Sequence, residues 1–433
     1  MIREDRDKRI LEAVRCFMRG EKADWAAQET CDESAVAPKD AAGGGAWEEW
    51  RDFINLCVKH QVLPMVYEAI YGTEAFQSLP QDKRQMIRQK VFQDVMIQAR
   101  KTEEFLALYK RLLEAGLTPM VVKGIICRQL YPQPDSRCSG DEDVLIPKDQ
   151  FASCHACFLQ EKMVPLEANQ DLEAAGEVPY GKKGGMLYLE LHKELFPAES
   201  EAYGDFNSLF SHIWERKIQT QIGGVPIYTM GHTDHMLYLI IHAFKHFLHS
   251  GFGIRQVCDI VMYANAYGSQ IQWEELLRQC RSVRAHVFAA ALFDIGARHL
   301  TFDAEKACYP KSWQSIRADG EELLEDLISG GIYGDATMSR KHSSNITLQA
   351  VADGKKGRKG KVTVISSLFP SRDYMERTCP YLKEKPYLLP VAWLSRMKGY
   401  MRETRNMKDN DAAESVRIAR KRLALMKKYK IIR

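Results

Sequence analysis

The sequence predicts an α+β protein in which a small β-sheet region, about residues 96–231, lies between a helical N-terminal region (1–95) and a mainly helical C-terminal region (232–433). Three observations lead there. Apolar residues recur at helical spacing up to residue 115 and again beyond residue 233. Between them, short apolar runs and strict alternation mark strands: 120–122, 140–146 and 186–192. Two glycine pairs, Gly184-Gly185 and Gly223-Gly224, sit where hairpin turns are needed.

In chain order, residues 1–30 read as an amphipathic helix carrying Ile10, Leu11, Val14 and Phe17. Residues 31–46 read as a loop broken at Gly43-Gly44-Gly45. A second helix places Trp47, Trp50, Phe53, Ile54 and Val58 on one face, and a third begins at Pro64. A long helix covers about 81–115, with Phe105, Leu108, Tyr109, Leu112 and Leu113 as its stripe. Gly116 ends it as a C′ glycine, with Pro119 beyond. The strand 120–122 leads through a Lys123-Gly124 turn into a short helix. After the strand around residue 143, Pro147 starts a helix to Leu159. One hairpin turns at residues 182–185, and a second spans 217–230.

The C-terminal region opens with a helix capped by Thr233, with Asp234 in its first turn. Leu237, Ile241, Phe244 and Leu248 form its buried stripe. His235, Tyr238, His242, His246 and His249 share another face, where one or two histidines line a cleft and the rest meet solvent. The next helix starts near Gly253, with Arg255 and Asp259 four apart and able to pair along it. Residues 270–330 are helical with broken patterns, and 331–365 hold a basic loop, GKKGRKGK. A helix follows from about Leu389, and the tail 412–433 is a basic amphipathic helix with a solvated polar face. There is no internal repeat.

Composition narrows the function classes. A chain of 433 residues has room for two or three domains and a sizeable core. A net charge of +4 is too small to favour nucleic acid as a partner. No apolar run approaches the ~20 residues of a membrane span, and the N-terminus MIREDRDKRI lacks an apolar signal core. Eleven scattered cysteines fit reduced thiols in a cytoplasm. Cys154-x-x-Cys157 lies within a helix and has no second pair, which argues against a zinc ribbon.

The chemistry centres on residues 120–151. Asp141 and Asp143 are two apart on a strand, so their carboxylates leave the same face. Side by side they repel, and a divalent cation relieves that; oxygen ligands suit Mg²⁺, with Mn²⁺ as the alternative. Glu142 between them points to the other face, either to a wet strand end or to a basic partner. On the strand 186–192, Leu187, Leu189 and Leu191 face helices, while Tyr188, Glu190 and His192 face a cleft. Gly124, lacking Cβ, allows a phosphate close to the backbone, and the helix after it offers N–H groups.

At Lys123, Gly124, Tyr131, Arg137, Asp141, Asp143 and Leu145 the sequence resembles the bacterial group called uncharacterised nucleotidyltransferases. Gly124 with the Asp-x-Asp strand resembles, more broadly, the nucleotidyltransferase fold of the DNA polymerase β superfamily. The resemblance runs from about Trp47 to about Tyr400. It departs at Gly124-Ile125, where the superfamily has Gly-Ser, and in a longer spacing to the aspartates. It implies a small mixed-sheet core and a metal-dependent transfer of a nucleoside monophosphate from an NTP, with ATP expected, to the hydroxyl of a small molecule or protein. Glu190 would be the third metal-binding carboxylate beside Asp141 and Asp143. Lys123, Gly124, Arg137, His192, His242 and Arg255 form the candidate nucleotide-binding set. Two other readings stand beside this one: a binding protein that keeps the fold without catalysis, and a helical scaffold whose Asp pair caps a turn. The presence of Glu190 favours the enzyme.

Overall fold

The computed structural model describes residues 2–26, 44–167, 170–197, 204–249, 251–330, 379–404 and 412–432, with a few residues between 340 and 376. Five helices precede the sheet: α1 (Ile2–Arg19), α2 (Gly44–Lys59), α3 (Leu63–Ile70), α4 (Glu74–Gln77) and α5 (Gln81–Glu114). The sheet strands are β1 (Met120–Val122), β2 (Glu142–Leu145), β3 (Met163–Pro165), β4 (Glu177–Lys182), β5 (Tyr188–His192), β6 (Ile218–Ile222) and β7 (Val225–Thr229). Helices α6 (Gly124–Arg128) and α7 (Phe151–Gln160) lie between strands. Then come α8 (His232–Leu248), α9 (Ile254–Tyr267), α10 (Trp273–Ser282), α11 (His286–His299), α12 (Lys311–Gln314), α13 (Glu321–Gly330), α14 (Leu389–Thr404) and α15 (Ala412–Lys428). The class is α+β, with helical regions on both sides of one mixed sheet.

The sheet order is β3-β4-β5-β2-β1-β7-β6. β2 lies between antiparallel β1 and parallel β5, and β1 also pairs parallel with β7. Both glycine turns close hairpins, β4–β5 and β6–β7. Gly223 and Gly224 have φ of 57° and 78°, the left-handed pair whose twist matches the flanking strands. β3 is absent from the sequence reading; it is three residues long, sits at the edge and ends in a proline.

Alternation divides the buried residues between two cores. Val121, Val144, Leu189 and Leu191 pack with Phe105, Leu108, Tyr109 and Leu112 of α5 and Phe151, Cys154 and Phe158 of α7. Met120, Val122 and Leu145 point the other way, into the large core that includes α8, α9 and α11. Cys154 and Cys157 are therefore core thiols.

Several expectations need correction. The first helix stops at Arg19, with Gly20 in the left-handed region, and most of the expected loop 31–46 lies outside the described residues. Val58 is 42% exposed; Leu56 and Cys57 are the buried residues of that stretch of α2. α8 begins one residue before Thr233, whose hydroxyl instead accepts from the Gln272 amide. α8 is buried on most of its circumference, so its histidines are not solvated: His235 and His246 are buried, and His242 and His249 partly so. The tail helix α15 is amphipathic as expected, with Arg417, Arg420, Lys421, Lys427 and Lys428 exposed, but one basic residue turns inward. Arg422 is fully buried and donates to the Phe247 and His249 carbonyls at the C-terminal end of α8. The basic run at 354–361 lies outside the described residues. No helix among the described residues is long and apolar enough to cross a membrane.

Candidate active site

The site begins where β1 ends. Lys123 adopts φ 45° and ψ −119°, a conformation uncommon for a side-chain-bearing residue. Its backbone N–H donates to His235 Nε2 at 3.0 Å, which helps fix the turn. Burial pushes the His235 pKa down to about 3, so the ring is neutral and Nε2 is free to accept. The other ring nitrogen lies 3.4 Å from the Thr229 hydroxyl, which itself donates to the Val121 carbonyl. α8 thus shapes the β1–α6 turn.

The turn aims the Lys123 ammonium at the strand beside it. Nζ is 3.0 Å from Asp143 Oδ2, 3.8 Å from Asp141 Oδ2 and 3.1 Å from His242 Nε2. Burial disfavours the ammonium, but Asp143 and Asp141 outweigh it and hold the Lys123 pKa well above its usual value. His242 is held neutral, its pKa well below normal, by burial and by the Lys123 charge.

Parallel pairing of β2 with β5 sets Asp143 opposite Glu190. Asp143, Glu190 and His192 each offer a ligand atom within 4.8 Å of the others. His192 Nε2 is 3.1 Å from Asp143 Oδ1 and 3.7 Å from Glu190 Oε2, and its Nδ1 is 3.6 Å from Glu177 Oε2. Asp141 stands one step outside this trio, half-exposed, and joins it through Lys123. His192, expected as a nucleotide contact, therefore sits in the position the sequence reading gave to Asp141.

The electrostatics show crowding. Burial and the charges of Asp143, Glu177 and Asp141 push the Glu190 carboxyl up to about 7. Burial works against ionisation of Asp143 too, yet Lys123 and His192 hold its pKa at about 2. Burial would lower the His192 pKa, but the Asp143 hydrogen bond and the nearby carboxylates raise it. Two carboxylates and an imidazole form a donor set that could hold a divalent cation, though the imidazole is a softer ligand than the oxygen-only set expected for Mg²⁺. The carboxylates already gather a cation, the Lys123 ammonium, which is the charge such an ion would bring.

Gly124 has a packing role of its own. At φ 30°, a Cβ there would run into Glu142 Oε2. That oxygen accepts from the Ile125 amide at 2.8 Å, so one of the free N–H groups in the first turn of α6 already has an internal anion. Glu142 takes the paired alternative: it forms a buried salt bridge with Arg128 and accepts from Ser139. The expected pairing of Arg255 with Asp259 is also replaced. Asp259 takes a two-pronged salt bridge from Arg137 and a 2.8 Å hydrogen bond from the Tyr131 hydroxyl. Arg255 donates to the Cys138 carbonyl instead.

Five of the six expected nucleotide contacts, Lys123, Gly124, Arg137, His242 and Arg255, line one narrow cleft of about 40 Å³, together with Asp141. The sixth, His192, is on the carboxylate side of Lys123. The sequence reading missed Glu177, Gln256 and Lys245. Glu177 pairs with His192 across the β4–β5 hairpin, so counting back from the 182–185 turn would have found it. Lys245 follows His242 by one helical step and is partly buried among the charges of Lys123, Glu177, Asp143 and Glu190.

A family model described as uncharacterised nucleotidyltransferase matches residues 47–300, more than half of the chain. The chain belongs to this family. The match covers the whole sheet, α8, α9 and every candidate residue, and stops well before Tyr400. No curated protein and no solved structure matches the chain. Within this family member, Asp143, Glu190 and His192 on adjacent strands form a cluster that could hold a metal ion.

Proposed function

We propose that this nucleotidyltransferase moves a nucleoside monophosphate from an NTP, with ATP expected, to a hydroxyl of a small molecule or a protein. The observation that carries the reading is the placement of Glu190 opposite Asp143 on parallel strands, with His192 completing the cluster. Asp143, Glu190 and His192, with Asp141 alongside, would hold the cation. A divalent ion there, Mg²⁺ or Mn²⁺, would screen phosphate charge and lower the pKa of the acceptor hydroxyl. The hydroxyl oxygen attacks the α-phosphorus, the bond to the bridging oxygen breaks, pyrophosphate leaves and the hydroxyl proton passes to water. Lys123 neutralises charge on the phosphates, and positioning with electrostatics supplies most of the rate. Asp143 and Glu190 fix the geometry because both ride on paired strands rather than loops.

The sheet region 96–231 is the proposed catalytic core, with 1–95 and 232–433 as flanking regions. The C-terminal one lends His242, Lys245 and Arg255 to the site. The ten described cysteines are free thiols, which supports a reducing, cytoplasmic setting.

A second reading has an observation of its own. The Lys123 ammonium already balances Asp141 and Asp143, as it would in a metal-free nucleotide-binding protein. Incubation with each α-labelled NTP, Mg²⁺ or Mn²⁺ and a cell extract separates the two. Transfer predicts label on an acceptor fraction, abolished by EDTA. Nucleotide binding without label from any NTP would favour the binding protein.

A further inference from the structure

His192 meets the carboxylate cluster with one ring nitrogen and turns the other away from it. Nε2 is 3.1 Å from Asp143 Oδ1 and 3.7 Å from Glu190 Oε2. The residue is only 4% exposed, and its Nδ1 is buried without a hydrogen-bond partner. On that side Glu177 Oε2 lies 3.6 Å away, within ion-pair reach but longer than a hydrogen bond. Glu177 and His192 stand opposite each other in the antiparallel β4–β5 ladder, so their side chains share a face. Glu177 is the exposed first residue of β4, and among the described residues its carboxylate has no other ion pair. An exposed side chain can close this short gap by rotating, without disturbing the buried packing.

A neutral imidazole carries one proton, and the nitrogen that holds it cannot bind a cation. A carboxylate behind Nδ1 keeps the proton there and leaves the Nε2 lone pair facing Asp143 and Glu190. The imidazole also changes which ion the ligand set prefers. Mg²⁺ keeps to oxygen ligands and gives up its waters reluctantly, whereas the first-row transition ions accept imidazole nitrogen. Asp141, which would complete an oxygen-only set, stands outside the trio.

We infer that Glu177 is a positioning residue that holds His192 in its Nδ1–H tautomer, and that the resulting site of two carboxylates and one imidazole takes Mn²⁺ in preference to Mg²⁺. Both halves rest on the nucleotidyl-transfer reading, in which this cluster holds the cation, and add to it the class of ion and the residue that selects it. Glu177 touches neither the ion nor the substrate; it acts through His192. A solvated carboxylate at a strand end, with no such role, would act only through its charge, on Mn²⁺ and Mg²⁺ alike.

The test titrates the full chain with Mn²⁺ in the absence of nucleotide, follows the loss of the free-ion EPR signal, and then competes with Mg²⁺. The wild type should bind Mn²⁺ about ten-fold or more tighter than Mg²⁺. Electron-spin-echo modulation of the bound Mn²⁺ should show coupling to an imidazole nitrogen. His192→Gln should abolish that coupling and bring the two ions within a few-fold of each other. Glu177→Ala, at an exposed position that leaves folding intact, should weaken Mn²⁺ about ten-fold, as for loss of a histidine's outer partner, and Mg²⁺ much less. Glu177→Gln, whose amide oxygen still accepts from Nδ1–H, should recover part of the loss. Equal weakening of both ions in Glu177→Ala would reduce Glu177 to a surface charge and overturn its role. Mn²⁺ bound without nitrogen coupling, or displaced by equimolar Mg²⁺, would overturn the ion assignment. Absence of any Mn²⁺ binding would overturn the cation site itself and count against the transfer reading, a result distinct from the other two. None of these readouts depends on turnover.

Discussion

Glu142 and Asp143 are neighbours on β2, and each is only 1% exposed. Strand alternation sends them to opposite faces. Glu142 enters a closed network in which Arg128, the Ile125 amide and Ser139 all donate to its two oxygens. No water or ligand is needed to complete it. Asp143 enters a crowd, with Glu190 opposite, Asp141 two residues away, Lys123 and His192 in contact and Lys245 farther off. Burial alone does not distinguish a structural carboxylate from a functional one. The balance of donors and charges around it does: the first is saturated, and the second has carboxylates left over. A divalent cation can settle at Asp143 but would find no open oxygen at Glu142.

The contrast can be broken from either side. The largest effect is expected at Asp143. Asp143→Asn keeps size but removes the charge facing Glu190 and Lys123, so transfer should fall on the order of a thousand-fold. The chain should stay folded, because Asp141 remains to accompany Lys123. Single-turnover kinetics with α-labelled NTP, alongside a melting curve, measures both.

Glu142 should show the reverse pattern. Glu142→Ala leaves Arg128 buried without its counter-ion, with only the Thr102 and Ser139 hydroxyls to accept from it, a change that costs about 3–5 kcal/mol of stability in urea titration. Gly124→Ala should destabilise in the same direction, since its Cβ and its positive φ both conflict with the Glu142 network. Gly140→Ala, with open space around the new Cβ, is the matched control.

A smaller effect follows from pH. The folded-state pKa of Glu190, about 7, lies above its usual 4.5, so the folded protein holds an extra proton between those values. Stability must then fall as pH rises through that window. His192, with its raised pKa, acts in the same sense: its contribution is complete below 6.5 and is lost as pH passes its folded value. Asp143, held at about 2, adds stability above 3.8 and is flat over this range. The buried histidines His60, His235 and His249, with pKa values pushed down to about 4, 3 and 4 by burial, act in the opposite sense and make stability rise with pH. The metal-free wild type should therefore gain less stability between pH 5 and pH 8 than Glu190→Gln does, as melting curves of the two would show, and Mn²⁺ should protect more at the higher pH.

Much of this was legible in the sequence because it depends on local rules. Period-two alternation placed Glu190 and His192 on a polar face, the glycine pairs set both hairpins, and Gly116 ended the long helix. The failures share one cause, which is that partners distant in the chain decided the outcome. Arg137 takes Asp259 across 122 residues, so the four-residue spacing of Arg255 and Asp259 was misleading. His235 supports a turn 112 residues away, which no helical periodicity reveals. The contact of Gly124 with the Glu142 carboxylate, on the neighbouring strand, is likewise invisible in its immediate sequence. The α8 histidines are buried because β1, α9 and the docked tail cover faces that would otherwise meet water.

The most direct test of the carboxylate centre is Glu190→Gln, assayed for Mg–NTP binding and for turnover in the same preparation. Gln keeps the side chain's size, so packing should not change. The ion that arrives with the triphosphate has phosphate oxygens and Asp143 as ligands, so affinity should stay within a few-fold, about 1 kcal/mol. Activation of the acceptor hydroxyl leans on Glu190, so turnover should drop on the order of a hundred-fold. Normal turnover in Glu190→Gln would contradict the account and reduce Glu190 to a surface residue of the β4–β5 hairpin.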